Sequence, residues 1–385
     1  MAGPRGPEAL RFFRPGLVAA RCLVALALVV GGAPLRADAS ASHVTASTNV
    51  QRSLLIAHPV AVDKLPLTSQ VGRLVVLRFA GISAPTYVRE ILREGRAAGA
   101  ILFRDNVVDP EQTRALTSQL RRGAQSPPLI CVDQEGGAIR ILRWLGPARS
   151  APEQEAADSE RADARAAAGG LRAAGINVSL APVADVPSVP GAALSGRAFS
   201  ADFGVAGDSV AEAVRGWRRG KVASTVKHFP GLGGARVNTD HGRVTIARRG
   251  TQLRRQDLQP FRRAIEAGVP LVMVGHARYP AIDRSRIASQ SNAVIEGLLR
   301  DELGFRGVVI TDSTEAAAVL AVTQPAQAAV RNVRAGVDIV LTTGRGSYIQ
   351  VYRALLTEAK RDPAFRARVR ESAARVLALQ QALGT

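Results

Sequence analysis

The sequence predicts an α/β protein of the (β/α)8 barrel class, built as one domain. Three observations point there. Eight short apolar runs, each long enough for a strand, recur along the chain. Longer amphipathic segments separate them, which implies parallel strands joined by helical crossovers. Most of the runs end on polar residues or lead straight into them, as barrel strands do at the face that carries chemistry. A doubly wound open sheet more often uses fewer strands, and no GxGxxG follows the first run.

The predicted strands are 73–79, 100–103, 129–133, 177–184, 222–227, 271–275, 308–312 and 338–342. The predicted helices are 85–98, 110–122, 153–174, 205–219, 254–267, 292–303, 315–335 and 347–383. Gly99, Gly175, Gly220, Gly268, Gly304 and Gly336 follow the helices, where a left-handed cap is expected.

The chain has 385 residues, enough for one large barrel. Arg5, Arg11 and Arg14 precede an apolar run of about nine residues, and small residues end at Ala39. That is a secretory pattern, too short to span a bilayer. Residues 1–39 are therefore expected to be a signal peptide, 40–70 a linker or entry segment, and 71–383 the barrel. The protein is expected outside the cytoplasm: extracellular, periplasmic or associated with the cell wall. Cys22 falls in the exported segment and Cys131 in an apolar run, so no disulfide framework is expected.

Formal net charge is +19. Residues 1–39 hold five arginines and two acidic residues, so the remainder keeps +16. For an exported protein this favours electrostatic association with anionic wall polymers over nucleic acid. Aromatic residues are only 4%, too few for base-stacking platforms. HExxH, a Cys and His cluster, a Walker loop and Gly-x-Ser-x-Gly are all absent from the sequence. No metal, cofactor or serine nucleophile is expected, and the protein is expected to be a monomer.

Candidate chemistry sits at the predicted strand ends. Lys227 and His228 end one strand and open a glycine-rich loop that also holds Asp240 and His241. Adjacent strand residues should diverge, one into the mouth and one along the rim. Asp312 ends Val309-Ile310-Thr311-Asp312, either as a nucleophile or stabiliser facing the mouth, or as a helix cap. Asp133 ends another strand in Asp133-Gln134-Glu135-Gly136-Gly137 and suits a sugar hydroxyl, with Glu135 in an internal ion pair. A fixed cation such as Lys227 keeps a nearby carboxylate ionised. Arg197 follows a Gly and Pro rich loop, either to hold a carboxylate-bearing substrate or as a surface residue. His276 reads as a core histidine more than a mouth residue.

These motifs, taken in order, resemble the single-domain β-N-acetylhexosaminidases of glycoside hydrolase family 3. The resemblance is carried by Ile101-Leu102-Phe103-Arg104-Asp105-Asn106, Asp133 to Gly137, Leu180 to Val186, Ser195-Gly196-Arg197-Ala198-Phe199, Lys227-His228-Phe229-Pro230-Gly231 and Leu303 to Asp312. It implies a barrel that removes terminal β-linked N-acetylglucosamine, often from cell-wall fragments, with retention. It implies Asp312 as the nucleophile, and Asp133, Arg197, Lys227 and His228 as sugar-binding residues. It also implies a His-Asp acid/base dyad in the loop after Lys227, where the family reads KHFPGHGDTxxDSH. This chain departs there. Asn238, Thr239 and Asp240 stand at the family's Asp, Ser and His places, and His241 comes one later. A second departure puts Ile141, between Arg140 and Arg143, where the family has an arginine. Asp240 or His241 is then the acid/base, or the chain binds wall sugar without cleaving it.

Overall fold

The computed structural model describes residues 62–384, so the predicted signal peptide and most of the predicted linker lie outside the described residues. Eight parallel strands form one sheet: β1 (Val75–Arg78), β2 (Gly99–Ile101), β3 (Leu129–Val132), β4 (Val178–Ser179), β5 (Ala223–Phe229), β6 (Leu271–Val274), β7 (Val308–Thr311) and β8 (Val340–Leu341). From β1 to β7 each strand pairs with its successor, and β8 pairs with β1. A bridge between Ile310 and Ile339, with Thr311 N donating to Ile339 O, joins β7 to β8 and closes the ring. The (β/α)8 expectation is met.

Alternation along each strand sorts the apolar residues into two cores. Val76, Ile101, Leu129, Cys131, Val178, Leu180, Leu271, Met273, Val308, Ile310 and Leu341 fill the barrel interior. Val75, Leu77, Ile130, Val132, Val272 and Val309 face outward, under the helices. The interior is a packed core and leaves no pore.

The paired residues also fix how far the strands slip. Followed once round the ring from Val76, through Gly99, Leu129 and their successors, the pairing returns to β1 eight residues earlier, at Thr68. Shared evenly, that is about one residue per strand, the shear of this barrel class. Side chains on alternate strands therefore stand level with one another across the barrel. On the odd-numbered strands the uppermost level is Arg78, Asp133, Lys227 and Asp312.

The opposite end is closed by the chain's last helix, Pro363–Gly384. Val376 and Leu379 from this helix enter the barrel core, and Gln380 Nε2 donates to Ala98 O at 2.8 Å. Chemistry is thus confined to the carboxyl ends of the strands.

Several predicted elements differ in extent. The helix predicted over 347–383 is two helices, Ser347–Arg361 and Pro363–Gly384. Asp362 Oδ1 accepts the N–H groups of Ala364 and Phe365, and Pro363 cannot continue the preceding helix. The helix predicted over 315–335 likewise divides into Ala317–Leu320 and Pro325–Ala335, and that over 153–174 into Ala151–Ala156 and Glu160–Ala173. The segment read as linker already holds the start of the helix Leu67–Gly72. Gly175, Gly268, Gly304 and Gly336 have the expected left-handed backbone, but Gly99 and Gly220 do not. Gly99 lies in β2, where a Cβ would stand 1.9 Å from Leu129 O, and Gly220 packs where a Cβ would stand 2.1 Å from Ala168 Cβ. Both are glycine for close approach.

Candidate active site

Strand β5 is the centre of the site. It runs two residues past its predicted end, to Phe229, and every residue in it is buried. Phe229 meets Phe261 edge-on, ring centroids 5.2 Å apart, which fixes the strand end against the helix Gln259–Glu266. The pairing of β5 with β6 shifts register between Val226 and Phe229. Such an irregularity re-aims side chains. Lys227 and His228 therefore do not diverge as the regular pleat predicts: both are buried and both join one cluster of carboxylates. Neither lies along the rim.

Lys227 Nζ donates to Asp133 Oδ1 at 2.7 Å and stands 2.6 Å from Glu135 Oε1. Burial lowers the affinity of Lys227 for its proton, but the charges of Asp133 and Glu135 outweigh this and raise its pKa. Arg197 places Nε and Nη2 on the two oxygens of Glu135, at 2.9 and 2.7 Å. Burial works against ionisation of Glu135, yet Lys227 and Arg197 hold its pKa at about 2. Glu135 thus has the internal ion pair expected from the sequence. Asp133 keeps more contact with solvent, its side chain 25% exposed. Arg197 is neither a loose surface residue nor an empty fork, because Glu135 occupies it.

His228 is held by Asp185. The ring Nδ1 lies 2.7 Å from Asp185 Oδ2, which also accepts the His228 N–H at 3.1 Å, while Asp185 Oδ1 accepts the Leu232 N–H at 2.5 Å. The other ring nitrogen, Nε2, faces Asp312 Oδ2 at 3.9 Å. Asp185 is fully buried, ends the run after β4, and orients the imidazole. The sequence alone gives Asp185 no role, because its partner is distant in sequence.

Asp312 follows β7 at the floor of the mouth, its side chain 17% exposed. Its Oδ1 accepts the Ser313 N–H at 2.7 Å, and the first helix after it starts only at Ala317. Burial favours its protonated form, but the electrostatic influence of the nearby His228 and His276 rings and the Ser313 N–H prevail, so its pKa is lowered. Ser313 is itself held by Glu315, whose Oε2 accepts from Ser313 Oγ and from Thr343 N. His276 is wholly buried, with Nδ1 on Ser289 Oγ and Nε2 donating to Ser313 O, both at 2.9 Å. It belongs to the core, and burial lowers its pKa.

The loop after β5 brings Asp240 and His241 to the edge of the same mouth. Asn238 Oδ1 accepts the Asp240 N–H at 3.1 Å, a local turn that occupies the residue at the family's aspartate place. Thr239 O and Asp240 O accept from Ala318 N and Ala317 N, so the loop is tied to the segment that follows Asp312. Asp240 and His241 are both exposed. Partial burial, and next the negative charge of Asp312, raise the pKa of Asp240. At the other departure, Arg140 turns back into its own loop, with Nε donating to Gly137 O and Nη1 to Leu145 O. Among the described residues no group of three or more His, Cys, Asp or Glu is placed to hold a metal ion. No described helix is long and apolar enough to cross a membrane.

The site therefore joins Asp133, Arg197, Lys227, His228 and Asp312 in one continuous polar cluster, with Asp240 at its edge. Arg78, level with three of these residues, has no place among the residues picked from sequence. Comparison with known proteins identifies the family. The model of the glycosyl hydrolase family 3 N terminal domain matches residues 67–379. An uncharacterized secreted glycosyl hydrolase of Arthroderma benhamiae is 32% identical over 350 residues, covering 86% of this chain and 98% of that protein. A beta-hexosaminidase of Stenotrophomonas maltophilia is 35% identical over 278 residues, 70% of this chain and 82% of that protein. The structure of a glycoside hydrolase family 3 beta-N-acetylglucosaminidase from Paenibacillus sp. superposes with a TM-score of 0.79 at 35% identity; it covers 83% of this chain, which spans only 63% of that one. On this fold, these strand-end residues and the extent of the match, the chain belongs to glycosyl hydrolase family 3, a family of glycosidases.

Proposed function

We propose that this chain hydrolyses terminal β-linked N-acetylglucosaminides with retention of configuration. The observation that carries the reading is one mouth at the strand ends that sets Asp312 against His228 Nε2 and ties the Asp240 loop to the segment after Asp312, with the acidity of the two carboxylates driven apart: pKa lowered at Asp312, raised at Asp240. Such divergence separates a nucleophile from an acid. Asp312 attacks the anomeric carbon as the glycosidic bond breaks, and the departing oxygen takes the proton of Asp240. The product is a glycosyl ester on Asp312. Asp240, now ionised, removes a proton from water, which attacks the anomeric carbon and frees Asp312. The two-carboxylate scheme thus stands in for the family's His-Asp dyad, and His241 is a neighbour of the acid.

Asp133, the least buried carboxylate of the Lys227 cluster, accepts from a sugar hydroxyl. Lys227 and Arg197 hold Asp133 and Glu135 in place, and His228 Nε2 lies where sugar hydroxyl and nucleophile meet. The basic balance of the chain suits wall fragments as the source of substrate, and an arginine-rich apolar N-terminus suits export. The test is turnover of 4-nitrophenyl N-acetyl-β-glucosaminide by the purified protein and by Asp312→Asn. The reading requires Asp312→Asn to lose most of the turnover. Equal rates end it. N-acetylglucosamine raising Tm without any turnover points instead to a sugar-binding protein.

A further inference from the structure

The helices run back from the mouth, so each ends at the opposite end of the barrel, beside the next strand. The helices Thr86–Arg93, Pro110–Arg121, Glu160–Ala173 and Phe203–Arg219 end side by side there. Gln125 N donates to Leu92 O at 3.2 Å, which joins the first end to the second, and Thr117 Oγ1 donates to Ala174 O at 2.8 Å, which joins the second to the third. Gly220 packs closely on Ala168 and joins the third to the fourth. Arg93, Arg122, Arg172, Arg218, Arg219 and Lys221 are exposed along this row. None of them forms an ion pair with an acid among the described residues, and Glu94, in the same row, is taken by Arg96. At the ends of later helices arginines meet acids instead: Arg262 meets Glu302, Arg334 meets Asp362 and Arg361 meets Glu358. A helix end carries only about half a negative charge, so the cations of the row exceed what the helix ends offset.

The row opens onto a cleft in the outer wall, between the helices Thr86–Arg93 and Pro110–Arg121. Thr86, Arg89, Glu90, Arg93, Gln119 and Arg122 line it. Arg89 and Arg93 lie on one face of their helix, about 6 Å apart along its axis. Arg122 lines the other wall. Arg89 Nη2 donates to Thr86 Oγ1 at 3.0 Å, and Gln119 Oε1 accepts from Ala84 N at 2.9 Å, so both walls are held. Arg89, Arg93 and Arg122 against Glu90 leave the cleft positive. A recess lined by cations in line suits a chain laid between two helices better than a plane of lipid head groups. Its lining holds no aromatic ring on which a base could stack.

We propose that this cleft is a second binding site, on the outside of the barrel and apart from the mouth, for a linear phosphodiester polymer of the wall. Guanidinium forks take phosphate oxygens, and the row of cations beyond the cleft continues the track. The overall basic balance gives such a polymer no particular place to dock; the cleft gives it one. A polymer bound there holds the protein on the wall and leaves the mouth open. The site stands whether or not the mouth hydrolyses N-acetylglucosaminides. The full chain is titrated with poly(glycerol phosphate) in about 0.1 M salt, where charges more than about 10 Å away are screened, and binding is read by calorimetry. Arg89→Gln, Arg93→Gln and Arg122→Gln together weaken it about ten- to a hundred-fold, the loss of hydrogen bonds to charged groups. Arg331→Gln, Arg353→Gln and Lys360→Gln together remove the same charge from exposed positions on other helices, and leave the affinity within about threefold. All the substituted side chains are exposed, so an unchanged Tm keeps loss of binding apart from loss of fold. Equal losses in the two triple variants, or no binding by the full chain, overturn the proposal. Binding to phosphatidylglycerol vesicles but not to the polymer also overturns it, and assigns the surface to a membrane.

Discussion

Asp240 and Asp312 carry opposite demands on the same mouth. In the proposed mechanism Asp312 attacks only as a carboxylate, and its pKa is lowered, so activity falls on the acid side below the ordinary carboxylate range. In that mechanism Asp240 donates only while protonated, and its pKa is raised, so activity falls as pH rises through that raised value. The pH profile of kcat is therefore expected to be a bell on the acid side of neutrality. Asp240→Asn is expected to lower kcat on saccharide substrates by about 10²–10⁴, the usual size of general acid/base help, and to remove the alkaline limb. His241→Asn is expected to leave that limb. Steady-state kinetics from pH 3 to 9 separate the two, and a loss of the limb only in His241→Asn assigns the proton to the histidine.

At the scale of elements, β5 and its loop are positioned by one buried acid. Asp185 accepts two backbone N–H groups and a ring nitrogen, so it sets both the path of the chain after His228 and the direction of the imidazole. Asp185→Asn turns one acceptor oxygen into a donor and leaves a buried N–H without its partner. A loss of about 1–3 kcal/mol in stability is expected, read by denaturant unfolding, together with a fall in kcat. What could be read from the sequence follows the same lines. Asp133, Lys227 and Asp312 were legible because each ends a short apolar run, and a barrel strand that ends on a polar residue presents it at the mouth. The run 73–79 closes on apolar Phe79, so Arg78 read as the interior of a strand and the mouth was missed there. The inward aim of His228 was illegible because a local register shift overrides the pleat. Asp185 needed the fold, since nothing local shows which side chain it holds. The loop after β5 had only the family pattern to guide it, and its departure from that pattern left Asp240 and His241 equally placed.

Across the whole molecule, stability and chemistry occupy opposite ends of the barrel. Asp338, just before β8, is fully buried and bonded to Arg300, Arg368 and Arg375 at 2.7, 2.8 and 3.1 Å, and also to Ser372 Oγ and Val309 N. It ties the last helix to the ends of β7 and β8. Burial opposes its charge, but the arginines hold its pKa at about 2. A folded pKa below the unfolded value stabilises above pH 4 and loses that contribution as pH falls through 2, a term of about 2 kcal/mol. Asp338→Ala is expected to destabilise by about 3–5 kcal/mol, because it strands buried arginines without a counter-charge. Thermal unfolding checks this, and an unchanged Tm contradicts it. The mouth is untouched by that change, so any N-acetylglucosaminidase activity of the folded fraction should survive.

The central claim is that Asp312 forms a covalent bond with the sugar. The protein is incubated with 5-fluoro-N-acetylglucosaminyl fluoride, digested, and its peptides mapped by mass spectrometry. The account predicts one added fluorosugar, on Asp312, and none in Asp312→Asn. A label on another carboxylate, or steady release of the fluorosugar with no labelled peptide at any time, contradicts it.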